Sequence, residues 1–179
     1  MFISLNRSAL VAVSLFLTAC STVSVTTDYD RTTDFGQYKT YTLAPSTDKI
    51  GLSPSSQAAL EESLRAGLIA RGISEVRDNA DLHVVSHVSS QEQTVVFPGA
   101  GGAPYFYGRY GMWAGGPYYA DVSQYTEGTL ILDFIDAKTQ KLVFRGTGTD
   151  TVSDPETNAK RVREAVTKIL EKFPKAIAP

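Results

Sequence analysis

Two stretches of the chain space their apolar residues with the period of an α-helix. The first follows Ser53, a good N-cap residue, and Pro54, which suits the first helical turn. It ends before Gly72, which suits the position after a helix because glycine adopts the left-handed conformation at little cost. Leucines recur at every fourth position and predict one apolar helix face: Leu60, Leu64 and Leu68.

The second helical stretch follows Ser153 and Asp154, either of which can cap it, and it ends at Pro174. Glu156 lies where the positive end of the helix dipole favours an acidic side chain. A helix with one apolar face must bury that face against another element. The apolar residues of this helix form a continuous stripe: Val162, Ala165, Val166, Ile169, Leu170 and Phe173.

Other segments alternate apolar and polar residues, as half-buried β-strands do. The alternation predicts an edge strand beginning near Val23 and further strands at 41–43, 73–76, 81–93, 123–136 and 141–150. In the last two strands, the residues expected to share the apolar face are Leu130, Leu132, Phe134, Leu142 and Phe144. Asp136 suits the start of the turn between them, because its side chain can bond to the turn backbone.

Strands of this kind offer an apolar surface on one face only, so both helices are expected on that face. The predicted order is two strands, a helix, two strands, a long loop, two strands and a helix. This pattern predicts an α+β fold, a two-layer sandwich with a mainly antiparallel sheet of five or six strands and two helices on one face. We expect residues 23–174 to form a single domain.

The N-terminal residues have the features of a bacterial lipoprotein signal peptide. Arg7 is the only charged residue before Cys20, and the apolar run over 9–17 is too short to span a membrane. Leu17-Thr18-Ala19-Cys20 resembles a lipobox and contains the only cysteine of the chain. In that class of protein the thiol takes a diacylglycerol, the peptide before the cysteine is removed, and the new amine is acylated. We therefore expect residues 1–19 to be a signal peptide and Cys20 to be lipidated.

Lipidation would make a membrane the first partner of the chain. Two or more acyl chains hold a protein stably to a bilayer, whereas one binds marginally. Residues 20–33 are expected to form a lipidated tether and the first strand. Ser21 follows the cysteine at the position where Asp, by a general lipoprotein rule, retains a protein in the inner membrane. We expect an outer-membrane anchor facing the periplasm; the alternative is an ordinary signal peptide in which Cys20 falls by chance.

Composition and motifs narrow the classes of function. The 17 Lys and Arg residues against 19 Asp and Glu residues form no basic cluster, which argues against nucleic acid as a partner. One cysteine cannot form an internal disulfide, and its lipidation would exclude a thiolate metal site. The glycines of 99–103 lack the Lys-Ser/Thr and the helix of a phosphate-binding loop. The sequence predicts no catalytic residue and no cofactor.

Several ordered segments together resemble the bacterial lipoprotein family catalogued as domain of unknown function 4136. They are the lipobox, "DYDRTTDFGQYKTYTLAP", "LIARGI", "NADLHVVSHV", "GTLILDFIDAKTQKLVFRGTG" and "ILEKFP". The likeness covers roughly 23–174, with Phe144 where the family often carries Trp. The resemblance implies an envelope lipoprotein of α+β fold. It implies no reaction and supplies no catalytic residues.

Several polar residues on the predicted strands are candidates for metal binding or acid–base chemistry. Asp81, His83 and His87 share one strand face, but the two histidines are about 13 Å apart at ~3.3 Å per residue, too far for one metal ion. We expect no metal site there and interpret the histidines as polar residues on the open sheet face. Asp133 and Asp136 are expected at solvated strand and turn positions rather than as an acid–base pair.

The segment 97–122 departs from the rest of the chain in composition. It holds seven of the 14 glycines, eight aromatic residues and the only tryptophan. Loops this long are uncommon in compact domains and are usually functional or disordered. Tyr, Trp and Arg are the residues enriched at binding hot spots, so the expected contact residues are Tyr107, Arg109, Tyr110 and Trp113.

Three interpretations of this loop stay open: recognition of an envelope protein or peptidoglycan, a flexible insertion without a partner, and contact with the membrane interface, where Trp and Tyr are enriched. The favoured function is a non-catalytic, lipid-anchored periplasmic binding module. The alternative is an enzyme or metal-dependent protein that acts on a cell-wall or small-molecule ligand at the open sheet face near Asp81 and His83.

Overall fold

The computed structural model describes residues 23–44, 51–97 and 121–174. Within these ranges the elements follow the predicted order, with an additional short 3-10 helix, Phe35–Gln37, before the second strand. The elements are β1 (Ser24–Tyr29), β2 (Thr40–Ala44), α1 (Pro54–Ile69), β3 (Ser74–Glu75), β4 (Leu82–Phe97), β5 (Asp121–Asp136), β6 (Leu142–Thr151) and α2 (Pro155–Glu171).

The strands form one six-stranded sheet in the order β1-β6-β5-β4-β2-β3. The pairs β1–β6, β6–β5 and β5–β4 are antiparallel, which confirms the predicted α+β sandwich with a mainly antiparallel sheet. The pairs β2–β4 and β2–β3 are parallel and were not predicted. They arise because α1 carries the chain from β2 back to the starting end of the sheet, as parallel neighbours require.

Both predicted helix caps are present. The Ser53 side chain accepts a hydrogen bond from the backbone N–H of Ser56, and that of Asp154 accepts from Glu156 and Thr157. Gly72 has a φ of 76°, so the predicted left-handed residue after α1 is confirmed. The leucine stripe of α1 is fully buried.

Glycines let α2 lie close to its neighbours. A Cβ atom at Gly146 of β6 would overlap Ile169, and one at Gly148 would come within 2.8 Å of the Ala165 Cβ. A Cβ at Gly67 of α1 would overlap Leu170. Side chains of α2 therefore occupy the space where side chains at these three glycines would otherwise lie.

Four aromatic rings form the centre of the core where α2 ends over the sheet. The Phe134 and Phe144 ring centroids are 5.4 Å apart, and the Phe173 ring lies 5.0 Å from each. Phe35 completes the group at 5.3 Å from Phe173. Aromatic rings at these distances attract one another beyond the gain from burial alone.

The predicted alternation fails at the start of β6. The register shifts between Phe134 and Ile135, so that Phe134 pairs with Phe144 while Ile135 pairs with Leu142. Val143 and Phe144 are buried, whereas Leu142 is 45% exposed. A bulge of this kind places two residues of one strand opposite one of its partner, so Leu142 leaves the face that strict alternation assigned to it.

The predicted edge position of β1 is confirmed, and α2 covers part of that edge. The ammonium groups of Lys168 and Lys172 donate hydrogen bonds to the backbone carbonyls of Val23 (3.0 Å) and Val25 (2.8 Å). Unpaired carbonyls on an edge strand can otherwise recruit another chain, and lysine is a common protection against such pairing. The start of β1 is thereby held against the C-terminal half of α2.

Candidate functional site

The start of β1 lies in a row of paired residues that crosses four strands of the sheet. Ser24, the first residue of β1, lies opposite Thr149 of β6, which lies opposite Thr129 of β5, which lies opposite Ser89 of β4. These four residues form one row across the sheet. Cys20 precedes the row by four residues, so the chain enters the domain at this end of the sheet.

A two-stranded arm extends from the same end. β4 and β5 remain paired to Phe97 and Asp121, whereas β6 follows β5 only as far as Glu127. Residues 92–97 and 121–126, here called the arm, therefore have only each other as strand neighbours within the described residues. At ~3.3 Å per residue the arm is roughly 20 Å long. Its described side chains are exposed or half-buried.

A groove lies at this end on the helix side of the sheet. It has a volume of about 260 Å³ and is bounded by the starts of both helices and by β4, β5 and β6. Gly128 and Gly148 form part of its floor, where side chains are missing. Its apolar walls are formed by Val23, Leu52, Val88, Leu130, Val152 and Val162.

Several polar groups at the groove are bonded to other protein groups. The Ser53 hydroxyl contacts the buried Ser56 hydroxyl at 3.0 Å. The Arg161 guanidinium donates to the Thr151 carbonyl and lies 3.3 Å from the Asp150 carboxylate. Among the residues that the model describes, no buried side-chain nitrogen or oxygen lacks a hydrogen-bond partner. Most of the surface that lines the groove is nevertheless apolar.

The opposite, open face of the sheet carries an ion pair between a buried carboxylate and a partly exposed guanidinium. The Arg145 guanidinium binds the Asp133 carboxylate through two hydrogen bonds, of 2.6 Å from Nε and 2.5 Å from Nη2, and His87 Nε2 lies 3.8 Å away. The prediction that Asp133 is solvated was wrong, because the side chain is only 5% exposed. The hydrogen bonds to Asp133 raise the pKa of Arg145. A planar bidentate pair of this kind stabilises cross-strand pairing and leaves no free carboxylate for acid–base chemistry.

The polar residues nearer β2 have structural partners. The Asp81 carboxylate accepts hydrogen bonds from the backbone N–H groups of Lys39 (2.9 Å) and Thr40 (3.0 Å), and it thereby joins β2 to β4. Nδ1 of His83 lies 2.8 Å from the Thr42 hydroxyl. Within 23–44, 51–97 and 121–174, no three His, Cys, Asp or Glu residues are grouped as metal ligands would be.

Asp136 initiates the turn after β5 as predicted, but it is not solvated. Its carboxylate accepts hydrogen bonds from the backbone N–H groups of Lys138 (2.9 Å) and Thr139 (2.7 Å) and from the Tyr38 hydroxyl (2.9 Å). The residue is 8% exposed, so the expectation of a solvated turn position was wrong. Burial and the bond to Asp136 raise the pKa of Tyr38.

Acid should destabilise the fold through three of these carboxyl groups. Backbone N–H donors lower the pKa of Asp81 and of Asp136, led by Lys39 and Thr139 respectively, and bonds from Thr157 lower the pKa of Asp154 to about 2. A carboxyl group whose pKa is lower in the folded protein than its unfolded value of about 3.9 stabilises the fold at pH values above that unfolded value. This contribution to the free energy of unfolding is lost as the pH falls. We expect the free energy of unfolding, measured in urea, to decrease steadily from about pH 5 to pH 2.

The double variant Asp81→Asn and Asp136→Asn tests this assignment, because it removes two of the three carboxyl groups. It should be less stable than the parent at pH 7, because amides replace carboxylates that accept several N–H bonds. It should also show a flatter dependence of the free energy of unfolding on pH in the acid range. An acid dependence as steep as that of the parent would contradict the assignment.

The lipidation site and the partner contacts predicted from the sequence fall outside the described part of the chain. This applies to Cys20 and to the four loop residues Tyr107, Arg109, Tyr110 and Trp113. The predicted loop boundaries, 97 and 122, were slightly too wide, since β4 includes Phe97 and β5 begins at Asp121. Sequence reasoning missed the groove, although glycines within a strand pattern, such as Gly128 and Gly148, can mark a place of close approach.

No helix among the described residues combines the length and the apolar character needed to cross a bilayer. A search of curated proteins found no match.

Several solved structures are similar to this chain at low identity, and the first of them shares its fold. A PDZ domain protein from Parabacteroides distasonis is 12% identical with a TM-score of 0.56, covering 87% of this chain but only 36% of that one. The chain thus spans about a third of that protein. The PelC dodecamer from Paraburkholderia phytofirmans is 14% identical (TM-score 0.41, covering 83% of this chain and 97% of that one). A minor lipoprotein from Acinetobacter baumannii is also 14% identical (TM-score 0.41, 76% and 92%).

A family model covers nearly all of the described fold. The model described as "Domain of unknown function (DUF4136)" matches residues 25–175, from the first strand to just past the end of α2. Apart from Ser24 at the start of β1, this range includes every strand and helix described above and both strands of the arm. The protein therefore belongs to the DUF4136 family, as its ordered sequence segments suggested.

Proposed function

We propose that this protein is a lipid-anchored envelope lipoprotein whose folded part serves as a non-catalytic binding module. In this proposal Cys20 carries the lipid, and the domain faces the periplasm from the outer membrane. The lipobox at Leu17-Thr18-Ala19-Cys20 supports the anchor, and Ser21 supports the outer membrane.

The observation that supports the proposed geometry is that β1 begins at the same end of the sheet from which the arm extends. β1 begins four residues after Cys20, and the arm leaves the sheet from the end at which β1 begins. The chain segment 98–120 connects the two strands at the outer end of the arm. A binding segment there would be presented by a two-stranded antiparallel ribbon that leaves the sheet at the end where the chain enters.

We assign partner contact to Tyr107, Arg109, Tyr110 and Trp113 within that connecting segment. Aromatic and arginine side chains supply large contact areas and are enriched among the residues that dominate binding energy. The proposed partner is an envelope protein or peptidoglycan. The open sheet face does not favour the alternative of an enzyme, since Asp81, Asp133 and His83 there bond to neighbouring strands.

Photocrosslinking in intact envelopes tests this assignment. A photoreactive amino acid at Trp113 should yield a discrete adduct with a protein or with peptidoglycan. The same amino acid at Tyr29 is the control, because Tyr29 is 42% exposed and lies at the opposite end of β1. Adducts with lipid alone would indicate membrane contact, and adducts no different from the control would remove the binding assignment.

A further inference from the structure

We propose that the groove beneath the helix starts holds one acyl chain carried by the protein's own Cys20. This inference rests on the proposed lipidation and adds a binding site for the lipid within the folded domain. The groove is defined by described residues alone, and Val23, three residues after Cys20, forms part of its wall.

The chemistry of the groove suits a hydrocarbon. Leu52, Val88, Leu130, Val152 and Val162 supply apolar walls from five different elements or their flanking residues. Some of the neighbouring polar groups bond to each other, as do Arg161 with Asp150 and Ser53 with Ser56. A ligand therefore gains by burying apolar surface there, at ~0.8 kcal/mol per CH₂.

The size of the groove favours a slender ligand. Its volume of about 260 Å³ lies just below the ~300–1,000 Å³ typical of pockets for drug-sized molecules. Gly128 and Gly148 line the groove and add no polar side chain to it. A single alkyl chain needs no hydrogen bonds and matches such a space better than a sugar or a peptide does.

The acyl chain in the groove would come from Cys20, because Cys20 lies only three residues before Val23 at the groove wall. Val23 is buried at the groove, and its backbone carbonyl is held by Lys168 at 3.0 Å. Three extended residues span at most about 10 Å, so the sulfur and the amine of Cys20 stay within reach of the groove. A tethered chain also binds at a high effective concentration, which a free lipid lacks.

Occupation of the groove is compatible with anchoring. A triacylated cysteine carries three chains, and two remaining chains still hold a protein stably to a bilayer. The groove would shelter one chain whenever the protein is out of the bilayer, where that chain would otherwise be exposed to water.

The test uses the full chain, produced in a bacterial host fed a palmitate analogue that carries an alkyne and a photoreactive diazirine. The protein is purified in detergent, diluted below the micelle concentration and irradiated, and crosslinked peptides are mapped by mass spectrometry. We expect crosslinks from Cys20 to groove peptides containing Val88, Leu130 or Val162.

Val162→Phe is the blocking variant, because Val162 is only partly buried and lines the groove. Each methylene displaced should lower occupancy about fourfold, so the four added carbons should reduce groove crosslinks by at least about tenfold. Ile69→Phe is the matched control, since Ile69 is 56% exposed and lies outside the groove, and it should leave the crosslinks unchanged. If Val162→Phe does not fold, Leu52→Phe takes its place.

The outcomes separate the two proposals. Absence of label on Cys20 would overturn the proposed function together with the inference. A labelled Cys20 that crosslinks only outside the groove would overturn the inference and leave lipidation intact. In a third outcome the acyl chain of one copy binds in the groove of another copy, and this would also overturn the inference. Mixing with ¹⁵N-labelled protein detects it, because light peptides then crosslink to heavy ones.

Discussion

Phe144→Ala is expected to lower the free energy of unfolding by about 3–5 kcal/mol, the usual cost of removing a large buried ring. The Phe144 side chain is fully buried between Phe134 and Phe173, with ring centroids at 5.4 Å and 5.0 Å. Its loss leaves a cavity at the junction of α2 and the sheet, where the backbone cannot close easily. Urea unfolding at 25 °C measures the change.

Leu142→Ala is the matched control, two residues along the same strand. Leu142 is 45% exposed because of the bulge, so the substitution should change the free energy of unfolding by no more than about 0.5 kcal/mol. Strict alternation would place Leu142 and Phe144 on the same buried face. Similar large losses for both variants would therefore contradict the bulge.

This pair of residues shows what a period-2 pattern can and cannot predict. The pattern identified both strands of the hairpin and the buried face of β5. It could not locate the bulge, because a bulge depends on how two strands pair across the turn, not on the residues of one strand. Asp133 was misjudged for a related reason. Its burial depends on Arg145, which lies opposite it on the neighbouring strand.

Removal of the lipid should release the protein from the membrane. We expect that exchanging residues 1–20 for an ordinary cleavable signal peptide moves the folded domain from the membrane fraction to the soluble periplasmic fraction. The membrane-to-soluble ratio should fall by at least about a hundredfold, because several acyl chains at ~0.8 kcal/mol per CH₂ are lost. Fractionation with quantitative immunoblotting measures the ratio.

Ser21→Asp is the matched control for this exchange. It keeps Cys20 and should keep the protein in the membrane fraction, but it should shift the protein from the outer towards the inner membrane in a density gradient. A domain that stays bound to the membrane without residues 1–20 would show that another part of the chain supplies the attachment.

The helices and the layer arrangement were predictable because local rules determine them. Ser53, Asp154 and Gly72 are caps whose side chains or conformations act within one turn of the helix. The parallel pairing of β2 with β4 and the length of the arm were not predictable, since both depend on which strands become neighbours. The groove was missed for the same reason, because its walls come from residues as distant in sequence as Leu52 and Val162.

Three features lie at the end of the sheet where β1 begins. The chain enters the domain there, the groove opens there, and the arm projects from there. The opposite end carries the buried aromatic rings and the turn held by Asp136 and Tyr38, which stabilise the fold. We therefore expect changes in the arm to affect binding more than stability.

Mass spectrometry of the N-terminal peptide of the mature protein, isolated from native envelopes, shows whether Cys20 is lipidated. We expect a peptide that begins at Cys20 and carries a diacylglyceryl thioether together with an acylated amine. A mature chain that begins at another residue, or an unmodified Cys20, would contradict it.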